Sequence, residues 1–204
     1  MLKNARFLVS NTDHRKCPAP SKPEFAFIGR SNVGKSSLIN MLTNHKHLAK
    51  ISGKPGKTQL INHFSIDDRW FMVDLPGYGF AKVNKKLKAD WDKMIRAYLT
   101  ERENLTAVFV LVDSRLPPQK IDLEFIQWCG QLELPLVLLF TKADKQSQSK
   151  TAENVHLFLD EMEKLFVEAP EFFVTSAVNR QGRDELIQFI EENVTEWYEP
   201  GEVT

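Results

Sequence analysis

Gly29-Arg30-Ser31-Asn32-Val33-Gly34-Lys35-Ser36 fills the pattern G-x-x-x-x-G-K-[ST] without a gap. The pattern builds a phosphate cradle. Backbone amides of the glycine-rich loop point inward, the lysine (Lys35) reaches the β and γ phosphates, and the terminal hydroxyl (Ser36) can ligate Mg²⁺. Ser37 continues the run. The flanks agree with this reading. Glu24-Phe25-Ala26-Phe27-Ile28 is a short apolar stretch that reads as a buried strand, and Ser37-Leu38-Ile39-Asn40-Met41-Leu42 opens a helix. The N-terminus of such a helix carries about half a positive charge, aimed at the loop. Strand, loop and helix in that order predict phosphate binding on an α/β fold.

Three further segments bear on the ligand. Asp74-Leu75-Pro76-Gly77 follows the apolar run Trp70-Phe71-Met72-Val73. An Asp at such a strand end can hold Mg²⁺, usually through water, and the Gly can offer its amide to a γ-phosphate. Read alone, the tetrapeptide is equally a turn; its place after the cradle favours the metal role. Thr141-Lys142-Ala143-Asp144 follows Leu136-Val137-Leu138-Leu139-Phe140 and matches the guanine-reading pattern [N/T]-K-x-D. Guanine presents N1–H and its 2-amino group side by side, and one carboxylate accepts both. Adenine would leave Asp144 unpaired, and hydrogen bonds to a charged group are worth about 1.5–3 kcal/mol each. The Lys142 stem can lie over the base, and Thr141 keeps a hydroxyl to brace the phosphate loop. Thr175-Ser176-Ala177 follows Phe172-Phe173-Val174, where a backbone amide can meet guanine O6. All four segments sit after a strand, and open α/β sheets bind ligands in the crevice outside the carboxyl ends of their strands.

Composition is that of a globular protein, with 42% hydrophobic and 26% charged residues. No apolar run is long enough to span a membrane, and no signal-peptide core is present. Cys17 and Cys129 sit in unrelated contexts and read as free thiols of a reducing cytoplasm. The net charge of zero hides an asymmetry: residues 1–102 hold 19 Lys and Arg against 8 Asp and Glu, and residues 103–204 hold 8 against 19. Two basic clusters stand out, Lys46, Lys50, Lys54 and Lys57, and then Lys82, Lys85, Lys86 and Lys88. One reading is a solvated face. The other is an RNA phosphate backbone, which attracts lysine at long range.

Residues 1–23 read as an N-terminal extension, with Ala5–Val9 a candidate edge strand. Residues 24–198 read as one domain and 199–204 as a tail. Leu60–Ile66 and Arg69–Leu75 flank Asp67-Asp68 as a hairpin with a two-residue turn. Strands at 107–112, 134–140 and 172–175 then alternate with helices at 85–102, 121–130, 151–166 and 184–197. This predicts a mostly parallel six-stranded sheet with one antiparallel strand and helices on both faces. The aromatic residues Trp91, Phe158, Phe166, Phe189 and Trp197 fall at helical spacing and read as core.

With the cradle, Pro55-Gly56-Lys57-Thr58-Gln59, Asp74-Leu75-Pro76-Gly77-Tyr78-Gly79 and Thr141-Lys142-Ala143-Asp144 together, the chain resembles the EngB (YihA/YsxC) family of bacterial ribosome-biogenesis GTP-binding proteins, of the TrmE-Era-EngA-EngB-Septin-like GTPases. The resemblance covers residues 5–198. It implies a Ras-like P-loop GTPase fold, binding of GTP and GDP with Mg²⁺, and assembly of the large ribosomal subunit through ribosomal RNA, with some members described in septation and cell division. It also implies that Thr58, in the loop Pro55-Gly56-Lys57-Thr58, joins Ser36 and Asp74 (through water) on Mg²⁺, and that Lys35, Thr58 and Gly77 carry catalysis. A monomer with no DNA or membrane partner is expected. The alternative is a nucleotide-gated protein-binding module whose hydrolysis is incidental.

Ras-type enzymes place a water-orienting Gln directly after Asp-x-x-Gly. Tyr78 stands there, and a phenol cannot do the work of that amide. Arg30 reads as pointing to solvent, so no arginine finger is evident and intrinsic hydrolysis is expected to be slow. Asn32 reads either as a loop cap or as a ligand for K⁺ in place of the finger's charge.

Overall fold

The apolar run at 24–29 becomes the central strand of the sheet. The computed structural model describes residues 2, 4–49, 60–79 and 85–200. In chain order its elements are β1 (Ala5–Asn11), β2 (Glu24–Gly29), α1 (Lys35–Leu42), β3 (Ile61–Ile66), β4 (Trp70–Asp74), α2 (Lys85–Glu101), β5 (Leu105–Asp113), α3 (Lys120–Gln131), β6 (Leu136–Thr141), α4 (Gln148–Glu163), β7 (Glu171–Val174) and α5 (Arg183–Tyr198). The strands form one sheet in the order β1-β3-β4-β2-β5-β6-β7. β3 runs antiparallel to both its neighbours, and every other adjacent pair is parallel. The single antiparallel strand expected from sequence is therefore β3.

The sheet has seven strands, not six. The seventh is β1, which pairs with β3 from Ala5 opposite Ile66 to Asn11 opposite Ile61. Without it β3 would present a row of unpaired N–H and C=O groups, and the N-terminal segment covers that edge. The hairpin also differs from expectation. Asp67 and Asp68 take positive φ values of 50° and 56°, the geometry of a type I′ turn whose twist matches the strands. Arg69 N–H donates to Ile66 O, but the ladder resumes with Ile66 opposite Trp70, so the connection counts three residues. α4 begins at Gln148 rather than 151 because Ser147 caps it, accepting from the Lys150 N–H at 3.2 Å.

Side chains alternate across the sheet with period two, so the central strands feed two cores. Phe25 and Phe27 of β2 and Phe109 and Leu111 of β5 pack with Leu38 of α1 and Leu186, Ile190 and Val194 of α5. Ala26 and Ile28, with Val108, Val110 and Val112, face Tyr98 of α2, Ile126 of α3 and Phe158 of α4 on the other side. Each Phe, Leu, Ile or Val side chain among them contributes about 1.5–3 kcal/mol when fully buried. Trp91 and Phe158 are buried as expected, and Phe166 and Phe189 pack against the cores. Trp197 is the exception, at 39% exposure near the end of α5.

A charged group lies at the start of the central strand. Glu24, at the start of β2, is fully buried. Its carboxylate accepts from Arg102 Nε at 3.0 Å and Tyr98 Oη at 2.7 Å, pairs with His63 Nε2 at 3.0 Å, and is bridged a second time by Arg102 Nη2. This pin joins β2, β3 and the C-terminal end of α2 at the opposite end of β2 from the phosphate loop.

Candidate functional site

Parallel pairing brings the loops read from sequence to one edge of the sheet. Phe27 lies opposite Asp74, Gly29 opposite Leu111, Asp113 opposite Thr141, and Phe140 opposite Val174. The carboxyl ends of β2, β4, β5, β6 and β7 therefore open on a common crevice, and four of the five carry a predicted segment.

The phosphate loop leaves β2 at Gly29 and enters α1 at Lys35. Gly34 caps α1 with φ at 109°, a conformation that L side chains rarely adopt. No side chain caps this helix, and its first turn holds no acidic residue. A helix start without a capping or acidic side chain of its own suits a phosphate site. Val33 is buried while Asn32 is exposed at positive φ. Lys35 Nζ meets Asp74 Oδ1 in an ion pair. Burial pulls the Lys35 ammonium down to about 7.

Asp74 is almost fully buried at the end of β4. Leu75, Pro76 and Gly77 follow it, also buried. Gly77 presses on the phosphate loop: a Cβ there would stand 2.6 Å from Gly29 O, so only glycine fits this approach.

The guanine-reading segment is tied to the phosphate loop by side chains. Thr141 Oγ1 donates to Val33 O at 2.6 Å and also lies 3.1 Å from Val112 O, which is the brace expected of it. Lys142 takes positive φ, and its Nζ donates to Asn32 O at 2.6 Å and to Asp113 Oδ2 at 2.8 Å. Its stem thereby crosses the loop beside Gly34. Asp144 accepts from Ser176 Oγ at 2.7 Å, a bond that holds its carboxyl below the usual range, with Lys145 assisting. Ala143 N–H donates to Thr175 O, which joins the two segments. The Ser176 hydroxyl accepts from Val178 N–H, and the Ser176 amide is spent on Gln181 O.

Two carboxylates escaped the sequence reading. Asp113, at the end of β5, is buried; desolvation alone would raise it, but hydrogen bonds from Arg115 and Lys142 hold it at about 2. Asp122, in the first turn of α3, is fully buried. Its Oδ1 accepts from Arg30 Nε at 3.0 Å and from Tyr78 Oη at 2.9 Å. Arg30 therefore does not point freely to solvent: its side chain is 23% exposed and committed to α3. Neither carboxylate has a local pattern that would have singled it out. Pro55, Gly56, Lys57 and Thr58 lie outside the described residues, as do Lys50, Lys54 and Lys82. Lys85, Lys86 and Lys88 fall at the start of α2, and Lys46 is exposed after α1.

A sheet of this topology, with a phosphate loop, a strand-end Asp-x-Pro-Gly and a Thr-Lys-x-Asp converging on one crevice, defines a P-loop GTPase. A family model described as 50S ribosome-binding GTPase matches residues 24–142. The chain is 54% identical over 192 residues to a protein of Flavobacterium johnsoniae named "Probable GTP-binding protein EngB", covering 94% of this chain and 91% of that one. It is 53% identical over 190 residues to the protein of the same name from Bacteroides fragilis, covering 93% and 94%. The chain belongs to the EngB family of GTP-binding proteins, and it is a GTP-binding, GTP-hydrolysing enzyme. Among solved structures it resembles a crystal structure of a probable GTP-binding protein EngB (TM-score 0.70, 26% identity, 85% of this chain and 99% of that one). It also resembles Era in complex with MgGDPNP and nucleotides of 16S ribosomal RNA (TM-score 0.66, 26% identity, 84% and 56%). No helix among the described residues is long and apolar enough to cross a membrane.

Proposed function

We propose that this protein is a nucleotide-controlled assembly factor of the large ribosomal subunit, acting in the cytoplasm as a monomer. The observation that carries the reading is the convergence of the phosphate loop, Asp74, Asp144 and Ser176 on one crevice, in a chain matched by the model of 50S ribosome-binding GTPases. Gly29 to Ser37 cradle the phosphates, with Lys35 on the β and γ groups. Asp144 accepts the two guanine donors while Ser176 orients it, and Thr141 and Lys142 hold the base-reading segment against the phosphate loop. Ala177 meets the base from the other side.

The site suits Mg²⁺ by its donor chemistry. Ser36 supplies a hydroxyl and Asp74 a nearly buried carboxylate, both hard oxygens of the kind that ion takes. Thr58 is the third candidate, by family resemblance. When bound, the ion neutralises charge on the β and γ phosphates. Lys35 pairs with Asp74 beside the phosphates, and the Gly77 amide faces the γ position. Tyr78 is buried and fastened to Asp122, so it orients no water, and intrinsic hydrolysis is slow until a partner acts. Asn32 is the residue through which K⁺ would substitute for a finger's charge; equal hydrolysis rates in KCl and NaCl would remove that role.

The lysines of the two basic sequence clusters, at 46–57 and 82–88, supply the affinity for ribosomal RNA. The test is co-sedimentation with large-subunit precursor particles at two salt concentrations, with a non-hydrolysable GTP analogue and with GDP. Association favoured by the analogue and weakened by salt supports the reading. Association that ignores the nucleotide refutes it and leaves a protein-binding module, such as one at the division site, as the account.

A further inference from the structure

Three segments far apart in sequence meet on one buried oxygen. Asp122 Oδ1 accepts both the Arg30 Nε–H and the Tyr78 hydroxyl, across 92 and 44 residues of chain. Asp122 Oδ2 is buried and makes no hydrogen bond among the described residues. The backbones follow the side chains: Arg30 and Tyr78 form an isolated parallel bridge, and Gly77 lies against Gly29 O. The Tyr78 ring stacks on Phe125, one turn further along α3, with centroids 4.5 Å apart and planes 18° apart. Gly79 takes positive φ and packs on Ile121, the residue before Asp122.

A buried carboxylate with one oxygen idle is an expensive way to join segments that an apolar contact could join. What it adds is direction. The phenol reaches Oδ1 only while the segment after Gly77 is seated on the phosphate loop, and Arg30 fixes the carboxylate from the loop's side. The nucleotide-sensing glycine is thus held in place by its neighbour, the residue that stands where a water-orienting amide is absent.

We propose that Asp122 is a positioning residue. Its carboxylate latches Tyr78 and Arg30 together, and so keeps the Gly77 amide docked at the γ-phosphate end of the loop. The proposal rests on the reading of the site as a GTPase crevice and adds a named determinant of its preference for the triphosphate. Among the described residues the latch meets the phosphate loop at Arg30 and touches neither the base-reading segment nor α1, and the Tyr78 arm leaves the Arg30 contact in place, so a diphosphate depends on that arm less than a triphosphate does.

The experiment compares binding of a fluorescent GDP and a fluorescent non-hydrolysable GTP analogue to wild type, Tyr78→Phe, Asp122→Asn and Asp122→Ala. Tyr78→Phe keeps the ring stack on Phe125 and removes only the hydroxyl. It should weaken the analogue about tenfold, the scale of one hydrogen bond to a charged acceptor, and leave GDP affinity within about twofold. Asp122→Asn keeps an acceptor oxygen and should lose less than Asp122→Ala. Single-turnover hydrolysis should fall along the same series. Equal losses for both nucleotides in Tyr78→Phe would mean the carboxylate only supports the fold, and unchanged affinity for both would mean there is no latch. Either result overturns the proposal. Should Asp122→Ala not fold, Tyr78→Phe alone decides it. Failure of the wild type to bind either nucleotide would instead overturn the GTPase reading itself.

Discussion

Glu24 is the group whose removal should cost the fold most for the fewest atoms. It is fully buried at the start of the central strand, and Arg102, Tyr98 and His63 all bond its carboxylate. Glu24→Ala takes the carboxylate from a phenol and an imidazole in the interior, and leaves the Arg102 guanidinium with Pro18 O in its place. Taking one partner from a buried ion pair costs about 3–5 kcal/mol. With a urea m value of about 2 kcal/mol/M, the midpoint should fall by about 2 M. Glu24→Gln keeps the shape and part of the hydrogen bonding, and should fall between Glu24→Ala and wild type.

The same carboxyl gives a test in pH. Burial alone would raise Glu24, but His63 and Arg102 outweigh it and hold it at about 2, against an ordinary 4.5. The unfolded chain therefore takes up this proton first as the solution is acidified. The contribution is fully present above the unfolded value and is lost as pH falls from about 5 through 2, amounting to about 3 kcal/mol. Urea midpoints at pH 7, 5, 4 and 3 should fall more steeply for wild type than for Glu24→Gln. A loss of less than about 1 kcal/mol in Glu24→Ala, against the 3–5 expected of a broken buried pair, or parallel acid profiles for the two proteins, would refute the reasoning.

The remaining predictions concern the crevice and its supports. Asp144→Asn replaces the acceptor of two guanine donors and should weaken GDP at least ~100-fold, since each bond to a charged group is worth about 1.5–3 kcal/mol; calorimetry reads it, and a loss under tenfold would dissociate Asp144 from the base. Thr141→Val removes the hydroxyl 2.6 Å from Val33 O and leaves that carbonyl unanswered. The cost of about 1–3 kcal/mol should appear as nucleotide affinity roughly tenfold lower, measured by displacement of a fluorescent GDP. Arg183→Leu uncovers Leu42 O at the C-terminal end of α1, which Arg183 meets at 3.0 Å, and leaves Met41 O, met at 3.1 Å, with the Asn44 N–H. Urea denaturation should show a loss of about 2 kcal/mol, and an unchanged midpoint would show that water serves those carbonyls equally well.

The parts of the site legible in sequence are those whose geometry is local. The phosphate cradle proposed for Gly29 to Ser36 is built from the backbone of eight consecutive residues, so their spacing is already their shape. The base recognition proposed for Thr141 to Asp144 likewise fits within four residues, and the alternation of apolar runs placed both segments at strand ends. What escaped depends on distant partners. β1 could be named only as a candidate edge, because the reason it is a strand is the unpaired edge of β3, more than fifty residues on. Asp113 looks like any residue after a strand until Lys142, 29 residues later, lands on it. Asp122 reads from sequence as an acid in the first turn of a helix, a place the helix dipole favours anyway. Only the folded chain puts it beneath Arg30 and Tyr78. That juxtaposition also reverses the sequence reading of Arg30: a loop arginine with no acid nearby in sequence is expected in water, yet the carboxylate that claims it lies 92 residues away. The coupling between phosphate loop and sensing segment therefore runs through a residue that no motif contains, and a substitution at Asp122 should change how the crevice tells GTP from GDP while every recognisable motif stays intact.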